Sequence, residues 1–286
     1  MSKRALPIII ILLIVAGLSL LLYPTVSDYV KSMSYRRAIS DYISAVEPMD
    51  DESYAELLEA AQAYNERLAE KGHFSMSPSK KELAEYNGLL AADNTGVMGY
   101  VSIPKVGISL PIYHGTGDEV LQNGVGHLEG SSLPIGGPST HAVLSAHTGL
   151  PSAKLFTDID RLVVGDSFTV RVLKDTLTYQ VDQILVVLPY ETDALEIEAG
   201  EDYCTLLTCT PYGINTHRLL VRGRRVPVLS EETSSVTAET VPDNGIIYVL
   251  IFAVPTLAVL VTVLLRRRAK RLKKMRHLAK VPRSPK

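Results

Sequence analysis

The sequence predicts a mainly β domain that follows a helical lead and lies between two apolar spans. Three observations carry this. Residues 98–226 read as many short alternating runs separated by Gly, Pro and Asp, the pattern of a closed or sandwich-like β fold. Residues 27–71 carry apolar side chains at helical intervals. Residues 7–23 and 245–265 are almost wholly apolar, and each is long enough, or nearly so, to cross a hydrocarbon core of about 30 Å.

The spans organise the charge. Of 29 Lys and Arg residues, 11 lie in residues 266–286 and two, Lys3 and Arg4, precede the first span. Neither end carries an acid. The remaining 16 bases and all 31 acids lie between, a net of -15. Basic flanks stay in the cytoplasm. The expected layout is therefore a cytoplasmic N-terminus (1–6), a transmembrane anchor (7–23), an extracellular helical region (24–95), a β domain (96–230), a linker (231–244), a second span (245–265) and a basic cytoplasmic tail (266–286). Residues 22–27, Leu-Tyr-Pro-Thr-Val-Ser, offer no small-x-small cleavage site, so the first span is read as an uncleaved anchor rather than a signal peptide. The one basic block adjoins a span. That argues against nucleic-acid binding and for a topology signal, with contact to anionic lipid heads as the other reading.

The elements follow in order. Tyr29, Val30, Met33, Ala38, Ile39, Tyr42, Ile43 and Val46 form the stripe of a helix over residues 27–46. A second helix is predicted from Ser53 to about Lys71, with Glu56 at capping-box spacing and Gly72 as its stop. A third follows Ser79, with Glu82 as its box partner. Between these two, Phe74, Ser75, Met76, Ser77 and Pro78 read as a loop. Strands are predicted over 98–103, 108–113, 141–147, 167–173, 177–188, 203–209 and 218–226. Pro104 and Pro111 limit the first two as central strands. Gly-rich loops occupy 115–137. Residues 231–244 are polar, acidic and rich in Ser and Thr, the composition of a linker.

The candidate chemistry lies in residues 205–218. Cys209 ends one predicted strand and Arg218 begins the next. A thiol and a guanidinium suit attack on a carbonyl and stabilisation of the oxyanion formed. The other reading is a buried cysteine beside a surface arginine. Cys204 does not pair with Cys209 on this reading. Five residues apart on one strand, they face opposite sides, about 16 Å apart at the Cα atoms, against a bridging limit of about 7 Å. A thiol nucleophile needs a base or ion-pair partner. His147 ends its predicted strand as Cys209 does. The two meet if both strands end at one rim. His217 competes, but alternation turns it to the other face. His141 is expected to be structural. His73, His114, His127 and His277 complete the set, and no ligand-spaced cluster predicts a metal site. No cofactor is expected. Arg218, Leu220, Arg222 and Arg224 share one face by alternation, so part of that run is a candidate solvated stripe.

Thr205-Leu206-Leu207-Thr208-Cys209 resembles the Thr-Leu-x-Thr-Cys signature of sortases. The resemblance extends to Ser145-Ala146-His147 and Arg218. Residues 98–104 (Met-Gly-Tyr-Val-Ser-Ile-Pro), 110–115 (Leu-Pro-Ile-Tyr-His-Gly) and 150–158 (Leu-Pro-Ser-Ala-Lys-Leu-Phe-Thr-Asp) are similar to class C, pilus-assembling sortases. The resemblance covers about residues 70–228, and a two-anchor layout is typical of that class. It implies an eight-stranded β-barrel and a transpeptidase that cleaves a Leu-Pro-x-Thr-Gly (LPxTG) sorting signal between Thr and Gly. By the same resemblance Cys209 is the nucleophile, His147 the acid/base and Arg218 the holder of substrate or oxyanion. Class C enzymes pass the acyl group to a pilin lysine, forming an isopeptide bond; housekeeping classes pass it to a cell-wall precursor amine.

Two departures stand out. Class C sortases commonly carry an Asp-Pro-aromatic lid, and residues 74–78 have no Asp-Pro pair, so a Phe74 plug and a plain connector are both open. Many relatives have Arg after the histidine, where this chain has Thr148. Three readings remain: a pilin-polymerising sortase, a wall-anchoring sortase, and a membrane-tethered adhesion or scaffold protein that keeps the barrel without the chemistry. The complete set His147, Cys209 and Arg218 argues against the last. The second anchor and residues 150–156 favour the first.

Overall fold

The structure is a computed structural model. It describes residues 5–71, 79–92 and 95–227; within the first helix the side chains of residues 5–12 and 15 fall outside this set. The expected loop at Phe74–Pro78, the linker, the second span and the basic tail lie outside the described residues. Over the described residues no helix is long and apolar enough to cross a membrane. The compact unit Ser27–Val241 carries the fold below; the start of the first helix belongs to a separate unit.

Eight strands close a barrel: β1 (Val97–Ile103), β2 (Ile108–His114), β3 (Val125–His127), β4 (Thr140–Ser145), β5 (Ser167–Val172), β6 (Asp175–Val187), β7 (Asp202–Thr210) and β8 (His217–Val226). The order around it is β1-β2-β3-β4-β7-β8-β6-β5, and β5 returns to β1. Two pairs are parallel, β2 with β3 and β4 with β7; the others are antiparallel. Closure leaves no free sheet edge. Alternation sends one side chain of each pair inward, where Val101, Ile112, Leu144, Phe168, Val181 and Leu206 are buried.

Seven strands coincide with predicted runs within a few residues. The eighth, β3, was read as part of a Gly-rich loop. Three residues with a glycine at the centre carry no periodic signal. Only their neighbours make Val125–His127 a strand. A short helix, α4 (Asp118–Asn123), precedes it. Pro111 lies inside β2, and β2–β3 pairing begins one residue later at Ile112. The strand predicted over 141–147 stops at Ser145. Beyond it the Ala146 carbonyl accepts from the Thr208 hydroxyl at 2.7 Å and the His147 carbonyl from the Phe156 N–H at 3.1 Å, so His147 lies on a loop.

Three helices lead into the barrel: α1 (Ala5–Val46), α2 (Asp51–Lys71) and α3 (Lys80–Tyr86). The apolar run and the stripe over 27–46 fall within the one helix α1, Pro24 included. The second helix starts two residues before Ser53. Asp50 Oδ1 accepts from the Ser53 N–H at 2.7 Å, so Asp50 caps this helix in place of the predicted Ser53–Glu56 box. Ser79 and Glu82 form the predicted box at α3.

Each helix docks through a buried side chain that is apolar along its body and polar at its tip. From α1, Tyr42 donates to Met98 O at 3.0 Å and accepts from Leu173 N at 2.7 Å. From α2, Asn65 exchanges two bonds with the Leu133 backbone, at 3.0 and 2.7 Å. From α3, the Tyr86 hydroxyl lies 2.8 Å from His127 Nδ1 and accepts from Gly115 N at 3.1 Å. His127 Nε2 lies 2.8 Å from the Ser132 carbonyl. A carbonyl only accepts, so Nε2 carries the proton and Nδ1 accepts from Tyr86.

Burial pushes His127 down to about 4. It also lowers His114 and His141. All three sites favour neutral imidazole. Below pH ~6.5 the unfolded chain gains protons that folded His127 does not, so its contribution to stability is complete above about 6.5 and is lost as pH falls toward about 4. Denaturant unfolding at pH 7 and pH 4 should therefore differ by about 3 kcal/mol from His127 alone, and His127→Gln should reduce the difference. A wild-type stability unchanged across that range would refute this account.

Candidate active site

The site is built on the outer face of the barrel, where β4, β7 and β8 lie side by side. In β7 the alternation separates the two cysteines. Cys204 points inward and is fully buried among core side chains; Cys209 points outward and is half-buried. Both are free thiols. Burial pushes the Cys204 thiol well above its usual range, which keeps it protonated and unreactive.

Register brings Arg218 to Cys209 and the end of β4 to the same rim. Cys209 and Arg218 are direct cross-strand partners in the β7–β8 ladder, so their side chains leave the sheet on the same face. β4 runs parallel to β7 with Ser145 opposite Leu207. The pairing carries on past the strand end, since Ala146 N donates to Leu207 O at 3.1 Å. The alignment brings the end of β4 to the rim where Cys209 lies, and His147 follows on the loop directly after Ala146. The sequence could offer this only as a condition, that both strands end at one rim.

Several contacts hold His147 in place. The Thr208 hydroxyl, 3% exposed, clamps the carbonyl just before it. The loop after it turns back onto the barrel as Ala153, Leu155 and Phe156 enter the core. Burying leucine and phenylalanine side chains stabilises by roughly 1.5–3 kcal/mol each. Gly149, at φ +74°, lets Tyr212 of the β7–β8 loop lie close; a Cβ there would meet the Tyr212 ring at 3.1 Å. Residues 150–158 thus act as a packed brace for the histidine loop.

The signature strand has a structural reason at each position. Leu206 fills the core. Thr205 is buried with its hydroxyl 2.7 Å from His141 Nε2. His141 Nδ1 donates to Glu196 O at 2.9 Å, so His141 is a satisfied, buried neutral side chain. His217, the competing partner, pairs across the ladder with Thr210 and lies 2.9 Å from the Thr216 hydroxyl. Among the described residues no group of three or more His, Cys, Asp or Glu side chains could hold a metal.

The arginines of β8 divide sharply. Arg222 is gripped by Asp182 through two bonds, at 3.1 and 2.9 Å, reaches Glu198 at 2.9 Å, and lies 4.0 Å over the Tyr203 ring. Arg224 pairs with Glu201. Arg224 is exposed, as the solvated-stripe reading expects, and Arg222 departs from it, being half-buried and held by two acids. Arg218 meets only backbone carbonyls, Asn215 O at 3.3 Å and His217 O at 3.1 Å, and among the described residues no carboxylate pairs with it. Its planar fork is free to receive an anion or a carbonyl oxygen.

From Arg218 a groove of about 210 Å³ runs along the outer face. Its floor is Ser145, Leu207 and Leu220, and its wall comes from Leu188, Pro189 and Leu195 of the β6–β7 loop. Leu195 packs on Val143 and Leu220, a small apolar cluster outside the barrel. Leu207 lies two residues before Cys209 in the strand and so shares its face. The groove therefore ends at Arg218, the cross-strand partner of Cys209. Sequence reasoning did not find the wall. Its trace is the apolar Leu195 and Ile197 in an otherwise acidic segment, too short to carry a period.

Comparison with known proteins follows the same lines. Residues 101–226 match the family model of the sortase domain. The crystal structure of sortase C1 from Streptococcus agalactiae is similar at 55% identity and a TM-score of 0.65, covering 67% of this chain and 98% of that one. The structure of Clostridium perfringens sortase C with the C-terminal cell wall sorting motif is similar at 47% identity and a TM-score of 0.59, covering 67% and 99%. Sortase A of Streptococcus agalactiae is 31% identical over 120 residues, 41% of this chain; the chain spans about half the length of that relative, 48%. With its eight-stranded barrel, signature strand and these likenesses, the chain belongs to the sortase family of cysteine transpeptidases and is of the class C type.

Proposed function

We propose that this protein is a membrane-anchored transpeptidase that cleaves an LPxTG-type sorting signal between Thr and Gly and passes the acyl group to a pilin lysine, polymerising pilus subunits. The observation that carries the reading is the cross-strand pair of Cys209 and Arg218 at the end of an apolar groove, with His147 at the same rim. The apolar side of the signal lies along Leu207, Leu220 and Leu195, and its scissile carbonyl faces the thiol. The Cys209 thiol proton passes to His147 as Sγ attacks that carbonyl carbon, and the oxyanion formed meets the Arg218 fork. The intermediate collapses to a thioester as His147 delivers a proton to the departing glycine amine. An incoming lysine amine then attacks the thioester carbonyl. It gives its proton to His147, and sulfur leaves to restore the thiol. Atoms and charge balance without a metal or cofactor.

The two apolar runs with basic flanks support a two-pass topology, with both ends cytoplasmic and the barrel outside. The pilin reading is supported by the likeness to sortase C structures over nearly their whole length. A second reading, attachment of surface proteins to a cell-wall amine, draws on the relatives named sortase A.

Cys209→Ala should abolish cleavage of an LPxTG peptide, while Cys204→Ala, a change inside the core, retains it; full activity in the Cys209 variant would sink the mechanism. Arg218→Ala should lower kcat by about 10²-fold, the usual cost of one oxyanion donor, with a folded barrel by circular dichroism. Incubated with purified pilin, the enzyme should give a ladder resistant to heat and detergent. Wall-linked monomers alone, seen in cells, would favour the second reading.

A further inference from the structure

The groove wall is a loop that rests on the sheet through Leu195, outside the strand ladders over most of its length. From Leu188 to Glu198 its backbone bonds are local, among them Leu195 N to Thr192 O and Glu196 N to Asp193 O; it joins β4 at its far end, where Gly200 N donates to Ser139 Oγ at 2.9 Å and Glu201 O accepts from Thr140 N at 3.0 Å. Such a segment keeps its place only if something outside it supplies the ties. Two buried or half-buried side chains of the barrel do so. His141, 1% exposed on β4, donates from Nδ1 to the Glu196 carbonyl, and its Nε2 accepts from the Thr205 hydroxyl. Both ring nitrogens are used, so the ring cannot turn without breaking a bond. Arg222 on β8 bonds Glu198 at 2.9 Å through Nη1.

Arg222 is oriented before it reaches the loop. Asp182 occupies the Nε–Nη2 edge of its fork, and the Tyr203 ring lies against its plane. Asp182 is the extra residue of a bulge in the β6–β8 register between Val181 and Gln183; bulges re-aim a side chain in this way. The remaining edge, Nη1, faces Glu198. Leu195, which lines the groove, directly precedes Glu196. The two ties follow directly after Leu195, the point where the wall meets the floor.

We propose that His141 and Arg222 are positioning residues that latch the β6–β7 loop, through the Glu196 carbonyl and the Glu198 carboxylate, and so set the width of the groove for the apolar part of the sorting signal. Neither touches Cys209 or the scissile bond. The inference rests on the sortase reading of the same groove. Weakening the latch should change how well peptide binds, not how the bound peptide reacts.

The test uses Glu198→Ala and His141→Asn, singly and together, in the full chain. The double variant should raise KM for an LPxTG peptide at least threefold with kcat within twofold. Alkylation of Cys209 by a small thiol reagent should keep its wild-type rate. Hydrogen exchange of amides 193–200 should quicken at least tenfold while amides of β7 stay protected. Glu198→Gln, which keeps an acceptor for Nη1, should restore most of the wild-type KM. Unchanged KM and unchanged loop exchange would overturn the latch, as would kcat, alkylation and β7 protection failing together. Failure of the wild type to cleave the peptide would instead count against the sortase reading, and the exchange measurement would still decide whether the loop is latched.

Discussion

The site depends on one register: β7 lies parallel to β4 and antiparallel to β8. The antiparallel side puts Cys209 opposite Arg218. The parallel side makes β4 and β7 finish at the same rim, and the bond from Ala146 N to Leu207 O carries the alignment past the end of β4. A slip of one residue would turn Cys209 into the core and Cys204 outward. Burial on the inner face protects against that slip, since Cys204 and Leu206 fill the barrel and Thr208 is committed to the Ala146 carbonyl. The fold's stability and the reach of the thiol rest on the same pairing.

The two faces of β7 and β8 serve different ends. Inward residues are apolar and pack. Outward residues make a second, smaller apolar surface, Val143, Leu207 and Leu220, which the β6–β7 loop covers in part through Leu195. What stays open is the groove. On the same outer face of β8 the arginines are sorted by their neighbours. Arg222 and Arg224 meet acids; among the described residues Arg218 meets backbone carbonyls only. A guanidinium without a carboxylate beside a thiol can answer a developing oxyanion, whereas a paired one holds structure.

Much of this was legible in the chain. Seven strands announced themselves by alternation, and the Ser79–Glu82 box marked a helix start. Cys209 and Arg218 stood out because a strand end and a strand start flank one loop. β3 was silent, being three residues long and dependent on its neighbours. Ser53 was read as a cap because its spacing to Glu56 fits a box, but Asp50 lies nearer the helix start and took the bond. In the arginine stripe only Arg222 departs from a solvated face, because the acids that bind it, Asp182 and Glu198, come from other elements.

By itself the sequence determined what is local or periodic: the β texture, the helical lead, the apolar runs, the opposite facing of the two cysteines, and the signature that named a family. Each follows from backbone geometry within a few residues. Tertiary structure decided what depends on residues far apart in the chain: that β4 and β7 run parallel, that His147 leaves its strand to sit on a braced loop, that Arg218 has no carboxylate partner among the described residues, and that His141 and Arg222 bond Glu196 and Glu198 of the β6–β7 loop. Such contacts form only when the barrel closes, because the partners lie 40 residues apart for Arg222 and Asp182 and 62 for Thr208 and Ala146. No spacing rule along the chain encodes them.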